Sequence, residues 1–229
     1  MLGDHAGHEI PADLGDLGLS PEVRGQHIAL DIGVAALGGR LSAALAATFV
    51  AQRYSRLVID CNRDPARADS VCEVSDGITV PGNQGLSATA RALRVDEVFA
   101  PYHAAIAAEL DIRTLRDQRP LVVALHSFTP VMAGFARPWR FGVLHLGASP
   151  FSDLMLRRLR ERLGADLVGD NEPYAMDGVD YTIPHHAIAR GLEYLELEVR
   201  QDQIGEPAGQ SAMAEFLGPV LAACAGELA

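Results

Sequence analysis

The sequence predicts an α/β domain of three layers, α/β/α, built around a mostly parallel mixed sheet. Two continuous apolar runs of strand length, "LVVALH" (121–126) and "FGVLHL" (141–146), have the composition of central strands covered on both faces. Strand-like and helical segments alternate along the chain, the order that joins parallel strands through crossover helices. The 229 residues, 48% hydrophobic and 21% charged, are enough to bury one large core. No linker, repeat or low-complexity tract divides them, so a single domain spanning 1–229 is expected.

The first helical region, 21–47, opens on Ser20-Pro21, a capping hydroxyl followed by proline at the first helical position, with Glu22 in the first turn. Apolar residues return at helical spacing through Ile28, Leu30, Ile32, Ala35, Leu41 and Leu45, interrupted by Gly38-Gly39. Strands are expected at 47–51 and 56–61, followed over 64–86 by a loop rich in Asp, Gly, Pro and Ser. A long helix, 87–116, is capped by Ser87 and broken near Pro101. After the strands at 121–126 and 141–146 come an amphipathic helix at 151–163 and an irregular segment at 169–186. A last strand, "YLELEVRQ", precedes a closing helix over about 211–226.

The net charge of −11 argues against a nucleic-acid partner, because duplex binding needs a basic face. It leaves a small anionic substrate open, since the local field decides that. Cys61, Cys72 and Cys224 are odd in number and have no close pair, which predicts neither a disulfide framework nor a cysteine zinc site. They suit a reducing cytoplasm, where the protein is expected. No apolar run reaches the roughly 18–20 residues that span a bilayer, so no membrane partner is expected. Oligomeric state leaves no signal in the sequence.

In open α/β sheets ligands bind beyond the carboxyl ends of the strands, and here those ends are loaded with polar residues. Asp4, His5, His8 and Glu9 stand almost at the start. Asp60, Asn62 and Arg63 follow "RLVI", and His126 and Ser127 close "LVVALHS". Glu196, Glu198 and Arg200 share one face of the last strand, with Leu195, Leu197 and Val199 on the other. His27 and Asp31, four apart, are expected on one helix face. Taken alone, His126 reads as a satisfied core histidine, and His27 with Asp31 as a surface pair. A second histidine at another strand end, His5, shifts the balance toward a metal, for which histidine plus carboxylate is the usual catalytic zinc set. A glutamate beside such a site serves as general base and then acid. There is no Gly-x-Ser-x-Gly elbow and no glycine-rich phosphate loop. Ser127 points to the opposite face from His126, which argues against a serine hydrolase.

Taken together, "DHAGHEIP", "HIALDIG", "RYSRLVIDCNRDP", "SDGITVPGN", "PYHAAI", "HSFTP", "GDNEPYAMDGVDYT" and "RGLEYLELEVRQDQI" resemble the N-formylglutamate amidohydrolase family in order and spacing, from residue 4 to about 204. More narrowly, they resemble its branch of predicted members. That family is related in fold to the zinc carboxypeptidases and to deacylases such as succinylglutamate desuccinylase and aspartoacylase. The resemblance therefore implies a zinc-exopeptidase-like fold and one zinc, or another divalent metal, held by His5, His126 and a carboxylate. Asp31 is the first choice for that acid and Glu9 the second, because the relatives' His-x-x-Glu spacing is absent and His8 stands three residues after His5.

Asn62-Arg63 resembles the relatives' pair for the substrate carboxylate, a task that suits the planar arginine fork. Arg56 is either a second clamp or a brace for Asp60. Glu198-Val199-Arg200 resembles the Glu-x-Arg strand ending that carries the catalytic glutamate, with Arg200 at the substrate. Tyr174 stands where the relatives carry a mobile tyrosine. Family members have a full apolar strand before the "DHA" motif, whereas Met1 to Gly3 precede it here. The implied reaction is hydrolysis of an N-acyl amino acid, foremost N-formyl-L-glutamate to formate and glutamate. Two alternatives stay open: a hydrolase of a different N-acyl amino acid or small peptide, and a non-catalytic carboxylate-binding protein.

Overall fold

The computed structural model describes residues 1–147 and 149–228. In chain order the strands are β1 (Leu2–Gly3), β2 (Val50–Ala51), β3 (Val74–Ser75), β4 (Ile78–Thr79), β5 (Val122–Phe128), β6 (Val131–Met132), β7 (Phe135–Ala136), β8 (Phe141–Leu144), β9 (Val168–Asp170) and β10 (Tyr194–Arg200). Six form one sheet in the order β2-β1-β5-β10-β8-β9, with β8 and β9 running against the other four. The pairs β3–β4 and β6–β7 are separate hairpins. The helices are α1 (Pro21–Arg24), α2 (Val34–Leu45), α3 (Ala88–Arg94), α4 (Ala100–Leu115), α5 (Pro150–Leu163), α6 (Thr182–His186) and α7 (Pro207–Leu228).

The two long apolar strands sit side by side at the centre. β10 pairs with β5 in parallel along its whole length, from Tyr194 opposite Val122 to Arg200 opposite Phe128. Side-chain alternation then divides the core. Val123, Leu125, Leu195, Leu197 and Val199 meet Leu37 and Leu41 of α2, Met155 and Leu159 of α5, and Leu217 and Val220 of α7. On the other face Val122, Ala124 and Tyr194 join Leu57, Val58 and Ile59 and, from α4, Ile106 and Leu110. His126, Glu196 and Glu198 fall on this second face. The sheet is thus covered on both sides, the expected three layers. Short as it is, β1 pairs with both β2 and β5, which sets His5 at the sheet's carboxyl edge.

Several elements differ from the sequence expectation. The helix over 21–47 is split: α1 ends at Arg24, residues 25–33 are irregular, and α2 begins beyond Gly33. Gly33 has φ 83°, and a Cβ there would lie 2.2 Å from the Ile204 carbonyl oxygen, so only glycine lets the chain enter α2. α2 also runs through Gly38-Gly39 without interruption, and the Phe49 ring occupies the space a Gly38 side chain would fill. His27 and Asp31 therefore do not share a helix face. The break near Pro101 takes the form of a π-helical turn, Val95–Phe99, between α3 and α4.

Residues 56–61 are not a strand. Leu57, Val58, Ile59 and Cys61 are buried as a central strand would be, but the segment is irregular and side chains satisfy its backbone. Asn83 Nδ2 donates to the Leu57 carbonyl (2.9 Å) and Arg94 Nη1 to that of Val58 (2.8 Å), while His103 Nε2 lies 2.9 Å from that of Cys61. The closing helix starts earlier than expected. By length and composition Pro207–Leu228 could cross a membrane, at a mean hydropathy of 1.2, which corrects the statement that no apolar run is long enough. Its apolar residues Met213, Leu217, Val220, Leu221 and Cys224 are buried in the first core cluster.

Asn83 is fully buried; it also donates to the Cys72 carbonyl (2.7 Å) and accepts from Arg94 Nη1 (2.6 Å). Asn83→Ala strands two carbonyls and a guanidinium, and is expected to lower unfolding stability by about 2–4 kcal/mol in denaturant titration. A loss well under about 1 kcal/mol would mean that the segment does not hang on this amide.

Candidate active site

Four separate stretches of chain meet at the carboxyl edge of β1, β5 and β10. His5 follows β1, and its carbonyl accepts the Asp31 N–H at 2.8 Å, which draws the irregular 25–33 loop to the sheet edge. His126 comes from β5, and Glu198 stands directly opposite it in the β10 register.

The geometry centres on Asp31. Its Oδ2 lies 2.8 Å from His126 Nδ1 and 3.6 Å from His5 Nδ1, and its Oδ1 lies 3.4 Å from Arg56 Nη1. Each imidazole turns its other nitrogen to a further aspartate: His5 Nε2 to Asp60 Oδ1 at 2.7 Å, His126 Nε2 to Asp4 Oδ2 at 3.4 Å. Those aspartates are themselves held. Asp4 Oδ1 accepts from Tyr102 Oη (2.7 Å) and Thr182 Oγ1 (2.9 Å), and Asp60 Oδ2 from Arg56 Nη2 (2.7 Å). One donor atom each from His5, Asp31 and His126 lies within 4.8 Å of the other two, all three residues being buried. Among the described residues, His5 Nδ1 is sealed from solvent without a hydrogen-bond partner. Two Nδ1 atoms and a carboxylate oxygen, with the outer imidazole nitrogens anchored on carboxylates, fit a divalent cation of the zinc type.

Burial alone raises carboxyl pKa values, and here it is outweighed in some groups but not in others. His5 and His126 hold Asp31 below the usual carboxylate range against burial, and His5 and Arg56 do the same for Asp60. Glu198 and Glu196 behave in the opposite way. Among the described residues Oε2 of each is buried without a partner, and burial pushes Glu198 up to about 7 and Glu196 up to about 8. A carboxyl group poised near 7 exchanges protons at neutral pH.

A cavity of about 530 Å³ opens over this centre. His5, Asp31, His126 and Glu198 line it, as do Arg56, Asn62, Arg63 and Tyr174. Arg200 does not: its guanidinium folds toward Asp202 (2.9 Å) and the carbonyls of Arg137 and Trp139. Glu9 does not reach the centre either; it is exposed and pairs with Arg53 at the surface. His27 sits at the rim against Asp76, 3.1 Å away. Arg56 is the brace: it spans Asp60 and Asp31. The Asn62 amide is engaged, its Nδ2 donating to Asp180 Oδ1 (3.2 Å) and its Oδ1 accepting from the Tyr181 and Thr182 amides (3.1 and 2.9 Å). Sequence reasoning assigned no role to Asp4, and none to Asp60 beyond an ion pair with Arg56. The one local signal was that Asp60 precedes the Asn-Arg pair by two residues.

Residues 1–205 match the N-formylglutamate amidohydrolase family. The crystal structure of a gene product of Agrobacterium tumefaciens is similar at a TM-score of 0.93 and 36% identity, over 99% of this chain and 90% of that one. The N-formylglutamate amidohydrolase of Ralstonia eutropha superposes at a TM-score of 0.69 over 96% of this chain and 89% of that one, a likeness of fold at 21% identity. No curated protein matches the chain.

Behind the site, His103 donates Nε2–H to the Cys61 carbonyl, so its Nδ1 accepts from His186 Nε2 at 2.8 Å. Burial keeps both rings neutral, depressing His103 and lowering His186 from 6.5 to about 3. Between about 3 and 6.5 the unfolded chain binds more protons than the folded one, so stability is complete above about 6.5 and is lost as pH falls. Glu196 and Glu198, raised by burial, contribute in the opposite sense over the same range. Between pH 7 and pH 5 His186→Gln is therefore expected to lose less unfolding free energy, or gain more, than the wild type. An unchanged slope in the variant would locate the acid sensitivity elsewhere.

Proposed function

The chain belongs to the N-formylglutamate amidohydrolase family, and on that premise we propose that it hydrolyses the amide of N-formyl-L-glutamate to formate and glutamate in a site that takes a divalent cation, zinc first. The observation that carries this reading is the convergence of His5, Asp31 and His126 within 4.8 Å beside Glu198, whose Oε2 is buried without a partner among the described residues. These three residues would hold the cation. When bound, such a cation polarises a carbonyl oxygen and makes water a better nucleophile near neutral pH.

The protein's own groups divide the remaining work. Asp60 is hydrogen-bonded to the outer nitrogen of His5 and Asp4 faces that of His126, which keeps both Nδ1 atoms turned toward Asp31, where they would meet the cation. Arg56 holds Asp31 and Asp60 in one orientation. Glu198 takes a proton from the attacking water and hands it to the leaving amine nitrogen, a double duty that its pKa of about 7 allows. Arg63, half-buried at the cavity wall with no ion pair among the described residues, takes the α-carboxylate of the substrate. Asn62 places it by tying this turn to Asp180 and the start of α6. Tyr174, exposed on the irregular segment before α6, lines the mouth and covers the substrate. Arg200 supports the 137–139 loop from the end of β10. The partner is a small anionic N-acyl amino acid, and three unpaired cysteines fit a reducing cytoplasm.

Formate release from N-formyl-L-glutamate, followed with chelator and with zinc added back, tests the reaction and the metal together. Activity is expected to disappear on chelation and return with zinc. Glu198→Gln is expected to lower kcat by about 10²–10⁴-fold with bound zinc unchanged. Loss of zinc along with turnover would refute the assigned role of Glu198.

A further inference from the structure

Glu196 is a buried carboxyl group that the proposed hydrolysis leaves without a task. It is 4% exposed, its Oε2 has no hydrogen-bond partner among the described residues, and it lines the cavity. It stands two residues before Glu198 on the same strand face, roughly 7 Å away along β10. Asp180 lines the cavity as well, and its hydrogen bonds among the described residues come from neutral donors, Asn62 Nδ2 (3.2 Å) and the Asp177 amide (2.9 Å). Neither acid has a salt bridge among the described residues. Burial pushes Glu196 up to about 8, against the pull of His126 and with Asp180 adding to the rise. Burial raises Asp180 too. Two acids placed in this way both ionise only when a cation joins them.

The charges around them point the same way. Arg56 is committed to Asp31 and Asp60, while Asp69 and Asp76 at the rim pair with Arg67 and His27. Among the described residues this leaves Arg63 as the cavity guanidinium without an ion pair, enough for one carboxylate. Glu196 and Asp180 remain without a positive partner. A ligand that brings a cationic nitrogen satisfies the Glu196 oxygen with a charge-assisted hydrogen bond. An ammonium group has three donors, so one such group can serve both acids. There is room for it: about 530 Å³ is in the range that holds drug-sized ligands, well beyond an amino acid carrying one formyl carbon.

We propose that Glu196 and Asp180 form a subsite for a cationic nitrogen of the substrate, so that the chain also hydrolyses N-acyl amino acids bearing an ammonium group. Arg63 takes the α-carboxylate and the two acids take the ammonium. That group belongs either to the acyl half, as in a dipeptide with a free amino terminus, or to the side chain of a basic amino acid. The bond changes are those of the amide hydrolysis proposed above, on which the subsite rests. Water adds its oxygen to the acyl carbon, the C–N bond breaks, and the amine leaves with a proton.

Two substrate pairs, each matched except for the ammonium group, test this through kcat/KM: glycyl-L-glutamate against N-propionyl-L-glutamate, and N-formyl-L-lysine against N-formyl-L-norleucine. The wild type is expected to favour the cationic member of one pair by about 10–100-fold, and that pair locates the ammonium. The ratio should fall toward one in E196Q and in D180N, each of which removes one charge. Wild-type ratios near one in both pairs, or a preference that either variant leaves intact, overturn the subsite. Calorimetric binding of ε-aminocaproate against caproate, with wild type and both variants, needs no turnover. Turnover of N-formyl-L-glutamate without any preference for an ammonium group removes the subsite and keeps the reaction. A preference for ε-aminocaproate that the variants lose, without turnover of any substrate, keeps the subsite and removes the reaction. If E196Q does not fold, D180N and the wild-type ratios decide.

Discussion

The Asp31 carboxylate ties the irregular 25–33 loop to the ends of two neighbouring strands of the sheet. It lies against His126 from β5, faces His5 from the end of β1, and takes Arg56 on its second oxygen. A buried carboxylate is costly unless it is paired and hydrogen-bonded, and Asp31 is almost fully buried. Its surroundings must therefore come to it. This accounts for local features that otherwise look arbitrary. The helical pattern over 21–47 gives way to an irregular loop so that the Asp31 N–H can reach the His5 carbonyl. The chain then regains helix through the left-handed Gly33, pressed against the Ile204 carbonyl.

Around that tie, each imidazole is fixed from a different side of the molecule. Asp60, at the end of an irregular buried segment, orients His5. Asp4, held by Tyr102 of α4 and Thr182 of α6, orients His126. The Asn62 amide joins these two supports by binding the backbone of Tyr181 and Thr182. A displacement of α6 would thus be felt at both histidines. The floor of the cavity is built from strands paired along their full length, while its rim is made of a short hairpin linked to the 25–33 loop by an exposed His27–Asp76 pair. Exposed pairs of this kind contribute little, so local opening is expected to begin at the rim and leave the floor intact.

Electrostatics separates the carboxylates into two sets by their neighbours rather than by their burial, which is nearly equal. Asp31 and Asp60 stand beside imidazoles and a guanidinium and stay ionised. Glu196 and Glu198 project from the same sheet face with unpartnered oxygens and hold protons to higher pH. Side-chain alternation along β10 put them there, with Leu195, Leu197 and Val199 pinned in the opposite core. A one-residue slip of β10 would bury both glutamates among the leucines of α2 and α7, so the core that stabilises the sheet also positions the acid–base group.

The readings that depended on a short stretch of chain were legible in the sequence. The alternation in "YLELEVR" placed Glu196 and Glu198 on one face, the apolar runs marked β5 and β8, and His5 and His126 were picked out at strand ends. The failures share a different cause. Residues 56–61 have the composition of a strand, but their backbone is satisfied by Asn83, Arg94 and His103, which lie far along the chain. Asp31 and Glu9 could not be separated until Arg53 was seen to claim Glu9 at the surface. Arg200 sits on the right face of its strand yet turns its guanidinium away. The sequence by itself determined periodicity, fold class and the chemistry available at each strand end, because these follow from residue type and local geometry. Only the tertiary structure decided which groups pair, which lie buried without a partner and which face the cavity, because each of those depends on atoms that the fold brings in from distant parts of the chain.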